Sequence, residues 1–162
     1  MIGTSIVTAC TALITALQND DDLADDGVNV SYSAPVLPTD LKATDGDYEA
    51  IWLGDATETE QIPLLTAGHL HRDETINQEL IIQVMIPTTD GTQVAADARA
   101  VELLGRVQDI LANNVDLGVT DPARFEAVLA GWKLVRGYLP NRQGHGSRFE
   151  CTVEFTARLT PT

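Results

Sequence analysis

At 162 residues the chain has the size of one domain, read here as residues 1–162, and folding it buries about 70% of the unfolded surface, so a core forms without disulfide or metal staples. Its 24 acids against 10 bases give a formal net charge of −14, which speaks against adhesion to nucleic acid or an anionic membrane, because phosphate binding runs on clustered Lys and Arg. The two cysteines, Cys10 and Cys151, have neither CxxC nor zinc-site spacing and are expected to be small buried apolar residues.

From the candidate N-caps Thr4 and Ser5, the residues Ile6, Cys10, Leu13, Ile14 and Leu17 recur at helical spacing, which predicts an amphipathic helix. The stretch lacks the basic start of an export signal, and its pattern continues past Cys10. Five of the seven residues 20–26 are acidic; without the alternating oxygen ligands of a calcium loop they read as a solvated loop. Val28, Val30 and Tyr32 alternate with polar residues as in a half-buried strand, stopped by Pro35 and Pro38, and residues 39–47 read as a polar loop. Residues 49–53 predict a second strand ended by Gly54-Asp55. Residues 58–75 mix Ile62, Leu64, Leu65 and Leu70 into a polar segment, as either an arm or long hairpin reaching a neighbouring subunit, or a partly buried loop, would do.

Residues 76–86 form the strongest predicted central strand, with Ile76, Leu80, Ile82, Val84 and Ile86 on one face and Ile81 and Met85 on the other. Asp90-Gly91 marks a turn. Over residues 92–113, Val94, Ala98, Val101, Leu104, Val107 and Leu111 draw a helical stripe, and Glu102 with Arg106 makes an i,i+4 pair. Asp121-Pro122 predicts one short helical turn. Two strands close the chain. Residues 128–139 place Trp132, Leu134 and Tyr138 on one face, and from Phe149 to Leu159 every second residue is apolar. The predicted fold is α+β: a twisted, mainly antiparallel sheet with two main helices on one face.

No nucleophile elbow, phosphate-cradling loop or Cys–His motif is present, and Gly144-His145-Gly146 is too short to count. His69 and His71, with Asp73 or Glu74, could chelate a metal, but the spacing supplies neither a ligand count nor a geometry. No catalytic residue, cofactor or metal is therefore assigned. The charge is uneven: residues 1–119 hold 20 acids and 4 bases, residues 120–162 hold 4 acids and 6 bases. Such polarity suits identical subunits meeting acidic face to basic face around a ring; chance in a small sample produces it too. Leu64, Leu65 and Leu70 are the first candidates for a subunit interface, as apolar residues in an irregular segment.

The N-terminal helix (Ala12-Leu13, Ala16-Leu17), acidic connector, Val-x-Val strand ending near Pro35, central strand 76–86, helix 94–111 and terminal hairpin together resemble tail terminator proteins of long, non-contractile-tailed bacteriophages. The resemblance spans nearly the whole chain and lies in element order and spacing; residues 58–75 are longer than that family leads one to expect. It implies a virion protein, made in the host cytoplasm, of which six copies form a ring. The ring would cap the finished tail tube, stop its polymerisation and join it to the head–tail connector, with tail tube protein and connector as partners. Genomic DNA would pass through its channel without specific binding, since negative walls repel phosphate. Asp45, Asp47 and Glu49, and the acids of 20–26, are candidates to line that channel. Another virion subunit, of the tail tube or of the neck, is the alternative, and a metal-dependent enzyme a more distant one.

Overall fold

The two-residue apolar period near the C-terminus decides which side of the sheet is inside. A computed structural model describes residues 4–66, 69–88 and 92–159, and of residues 60–66 and 69–71 the backbone alone. The elements are α1 (Ile6–Gln18), α2 (Asp21–Asp25), β1 (Asn29–Ser31), a 3-10 turn (Ala43–Asp45), β2 (Tyr48–Thr66), β3 (His69–Ile86), α3 (Gln93–Asn113), β4 (Phe125–Tyr138) and β5 (His145–Leu159). The five strands make one sheet in the order β1-β2-β3-β5-β4, antiparallel except where β1 lies parallel to β2. The fold is α+β, with α1 and α3 on one sheet face as expected.

That face is built by Ile76, Leu80, Ile82 and Val84 of β3 and by Phe149, Cys151, Val153, Phe155 and Ala157 of β5, all buried. Onto it α1 lays Ala9, Cys10, Leu13, Ile14 and Leu17. Burying each large apolar side chain contributes about 1.5–3 kcal/mol, so this interface is the main source of stability. Both cysteines are buried and free. Burial pushes the Cys151 thiol up to about 12, as befits a residue used for packing.

Helix α3 is rotated from the predicted stripe. Leu104, Val107 and Leu111 are buried, but Val94, Ala98 and Val101 face solvent, and Ala96, Ala100 and Leu103 face the sheet instead. Hydrogen bonds from the first turn to β5 orient the helix, with Gln93 Nε2 donating to the Gly146 carbonyl (2.9 Å) and the Ser147 hydroxyl to Asp97. The two alanines then allow a close approach.

Strand β2 does not stop at Gly54-Asp55. A bulge between Leu53 and Ala56 absorbs the turn-forming pair and the strand continues to Thr66. Buried Gln78 makes this possible: its Nε2 donates to the Gly54 carbonyl at 3.0 Å, while its Oε1 accepts from Cys10 Sγ at 3.2 Å. Residues 58–66 and 69–75 accordingly belong to the two strands of a long hairpin. The acidic run is likewise not a loop throughout, since Asp20 caps the five-residue α2 by accepting from the Leu23 N–H at 3.0 Å. The turn expected at Asp121-Pro122 is a bend with a cis peptide bond; β4 already starts at Phe125, opposite Ala157, which leaves no room for helix.

On the second sheet face the segment after β1 folds back. Leu37 and Tyr48 pack on Ala50, Trp52 and Ile81, and Leu41 packs with Met85 and Leu139. The β4–β5 connection crosses close to the end of β3, where a Cβ on Gly144 would stand 2.0 Å from the Ile86 carbonyl oxygen. Gly144→Ala is therefore expected to destabilise the protein by about 1–3 kcal/mol. A lowered urea midpoint at unchanged m-value would show it, and an unchanged midpoint would mean that the loop yields without cost.

Candidate functional site

The one Ser–His–Asp convergence among the described residues lies where α3 starts on β5. Ser147 donates its hydroxyl to Asp97, whose other oxygen accepts from Arg136 Nε at 2.6 Å, and His145 Nδ1 meets Gln93 Oε1 at 3.2 Å. Nucleophilic catalysis needs the base on the hydroxyl, and here the hydroxyl is bonded to the carboxylate while the imidazole is bonded to the amide. Ser147 is also fully buried. Burial works to raise the Asp97 carboxyl, and the bonds from Ser147, Arg136 and Gln93 hold it below its ordinary value. The cluster is a clamp that pins the first turn of α3 to the β4–β5 hairpin.

A buried acid closes the opposite end of the core. Glu74 on β3 is fully buried and its Oε2 accepts from the Ser5 N–H (3.0 Å) and the Ser5 hydroxyl (2.8 Å) at the start of α1. Ser5 stands at the N-cap position without capping through its own side chain, so the anion that answers the helix N-terminus comes from 69 residues away. Burial raises the Glu74 carboxyl, but donors from Thr4 and Ser5 hold it below its ordinary value.

Two arginines of α3 hold the acidic segment. Arg106 bonds Asp20 through Nε (3.0 Å) and Nη2, and reaches Asp22 at 3.2 Å. Arg99 bonds Asp26 (2.9 Å), Glu49 (Nη2 to Oε1, 3.0 Å) and Glu102 (2.9 Å). The expected Glu102–Arg106 pair is thus replaced by Glu102–Arg99, because Arg106 is taken by Asp20. The same network decides among the candidate channel acids. Glu49 is 11% exposed and spent on Arg99, so it presents no free charge. Asp45 is exposed and accepts from the Lys42 N–H at 2.8 Å, and Asp47 is exposed. Asp21 and Asp25 are exposed, and among the described residues no ion pair reaches them.

Leu64, Leu65 and Leu70 fall on the outermost rungs of the β2–β3 hairpin, Leu64 opposite His71 and Leu65 opposite Leu70. Their side chains, and those of His69 and His71, lie outside the described ones. Among the described residues no group of three or more His, Cys, Asp or Glu is placed to hold a metal, and no helix is long and apolar enough to cross a membrane. A groove of about 880 Å³ between α1, α3 and the loop after α3 is lined by Val7, Thr11, Ala12, Ile110, Val119 and their neighbours, with the Asp20–Arg106 pair among its lining residues. It brings together no base and nucleophile.

What sequence reasoning missed is the far edge of the sheet. β4 is an outer strand with Trp132 57% and Tyr138 73% exposed, and α3, on the same side of the sheet as Trp132, leaves Val94 and Val101 exposed. Trp132 stands edge-on to Phe149 with ring centroids 5.2 Å apart, so its orientation is set from within the core. The signal was the apolar face assigned to 128–139; which strand would be outermost was not in the pattern. No protein-family model matches the chain, and no curated protein matches it.

The Arg106 bond is the largest influence holding the Asp20 carboxyl below its ordinary value. A folded-state pKa below the unfolded one gives stability that is present above the unfolded value and lost as pH falls through the folded one. Asp20→Ala, which removes the α2 cap and the Arg106 partner together, is expected to cost about 1–2 kcal/mol at pH 7. It should also flatten the decline in melting temperature below pH 4, and equal melting curves for variant and wild type at both pH values would refute the assignment.

Proposed function

We propose that the chain is a structural subunit that assembles with copies of itself, a tail terminator whose ring of six caps a phage tail tube and joins it to the head–tail connector. The observation that carries this is the long β2–β3 hairpin. From Leu53 onward no strand pairs with the outer side of β2 among the described residues, and the rungs from Leu64↔His71 to Thr66↔His69 lie beyond Arg72↔Leu159, the last rung shared with β5. A two-stranded ribbon is marginal in water by itself, so a projecting hairpin with Leu64, Leu65 and Leu70 in its sequence gains stability against a neighbour.

Support comes also from the element order that the resemblance leads one to expect. In this role the protein does no covalent chemistry and needs no cofactor. Its partners are its own copies, the tail tube protein on one side and the connector on the other. The exposed Asp45 and Asp47, unlike Glu49, remain suited to a channel wall that repels DNA phosphates.

Mass photometry and negative-stain images of the purified protein, alone and mixed with tail tubes, test the proposal. Particles of six times the protomer mass, and caps at one tube end, are expected. Long tubes made by the protein itself would point to a tube subunit instead, and a lone protomer that ignores tubes would end the proposal. Leu64→Ser with Leu65→Ser should shift the population to protomers with an unchanged circular dichroism spectrum. Full-sized rings in that variant would remove the hairpin tip from the interface.

A further inference from the structure

The sheet has two open flanks of opposite charge. At the β4 flank Arg124, Lys133, Arg136 and Arg142 are exposed, against Asp121 and Glu126, and Arg136 bonds Asp97 at 2.6 Å, which leaves the flank net positive. At the β1 flank α2 exposes Asp21, Asp22 and Asp25; the β1–β2 connection instead crosses the second sheet face, where the Leu41 carbonyl accepts from Asn141 Nδ2 at 2.9 Å. Arg106 and Arg99 neutralise only Asp22 and Asp26 among the exposed acids of 21–26. Because the sheet order puts β1 and β4 at its two ends, the polarity noted along the chain becomes a polarity across the molecule.

We infer that copies of this chain join head to tail, the β4 flank of one against the β1 and α2 flank of the next. The inference rests on the ring reading above and supplies its contact. Three properties of the β4 flank fit it. The strand is 14 residues long and lacks a partner on its outer side among the described residues, which is a template for association. Trp132 and Tyr138 are exposed on it, and such aromatic residues dominate binding energy when a partner covers them. Its net positive charge would be repelled by a second β4 flank and attracted by the acidic one, which selects a heterologous contact over a two-fold one. A heterologous contact whose rotation closes makes a ring.

The test is a charge swap. Lys133→Glu with Arg142→Glu makes both flanks acidic, and Asp21→Lys with Asp25→Lys reverses charge on the acidic one. None of these four side chains takes part in an ion pair among the described residues. Each double variant alone is expected to associate at least tenfold more weakly than wild type in sedimentation velocity, and an equimolar mixture to recover assemblies of wild-type size. Raising the salt to about 1 M, where the screening length falls to roughly 3 Å, should weaken wild-type assembly as well. If a reversal unfolds the chain by circular dichroism, the neutral forms Lys133→Gln with Arg142→Gln and Asp21→Asn with Asp25→Asn replace it, with a smaller loss expected from each. Assemblies of full size in each variant alone would overturn the proposed contact and leave the ring reading standing. An Asp21 and Asp25 variant that assembles to full size by itself, while the Lys133 and Arg142 variant does not, would show a contact that spares the acidic flank and overturn it too. Wild-type protein that stays a protomer at every concentration would end both.

Discussion

One apolar sheet face, supplied by β3 and β5, places everything else in the molecule. Ile76, Leu80, Ile82 and Val84 on one strand and Phe149, Cys151, Val153, Phe155 and Ala157 on the next require cover, and α1 and α3 are the two elements with matching stripes. Burial of this face sets the demands on the polar groups caught at its margins. Glu74 would be an expensive buried anion without the Ser5 donors at the start of α1, and the carbonyls released by the β2 bulge would be orphaned without Gln78. Glu74 and Gln78 are thus each tied to the helix end or irregularity beside them.

Helix α3 is the bridge between this core and the charged surface. Its buried side packs Ala96, Ala100, Leu103 and Val107 on the sheet, while Asp97 is clamped by Ser147 and Arg136. Arg99 and Arg106 reach across to the acidic segment and draw α2 and the start of β2 onto the same helix. A chain of net charge −14 repels itself when compact, and half of its bases in residues 1–119 are these two arginines. The acids that they leave unpaired stay exposed at the β1 flank.

The two ends of the sheet differ in how they are guarded. Natural sheets guard open edges with bulges, prolines and charge. β2 carries bulges between Leu53 and Ala56 and between Glu58 and Glu60, and has Pro63 in its length, so it is guarded along the run that no strand covers among the described residues. β4 has a bulge between Leu129 and Gly131 and positive charge, but it also exposes Trp132, Val135 and Tyr138. This apolar edge is the part of β4 that the proposed head-to-tail contact would cover.

The sequence by itself determined the elements whose burial is periodic. α1, the core of β3 and β5 from Phe149 onward follow from apolar residues at spacings of about 3.6 or 2, because a helix or a strand presents such residues to one side whatever packs there. It determined the class of fold for the same reason. Only the tertiary structure decided features that depend on a distant partner. Gly54-Asp55 reads as a stop until Gln78 accepts the bulge. Val94, Ala98 and Val101 read as core until Gln93 and Asp97 turn the helix. Glu49 reads as a free acid until Arg99, 50 residues on, neutralises it. Strand order belongs to the same group, since β4 and β5 carry similar local patterns and nothing local says which of them ends the sheet. Local pattern records which face is apolar; long-range pairing chooses what meets it, and that choice put Trp132 at an open edge and the acids of α2 at the other.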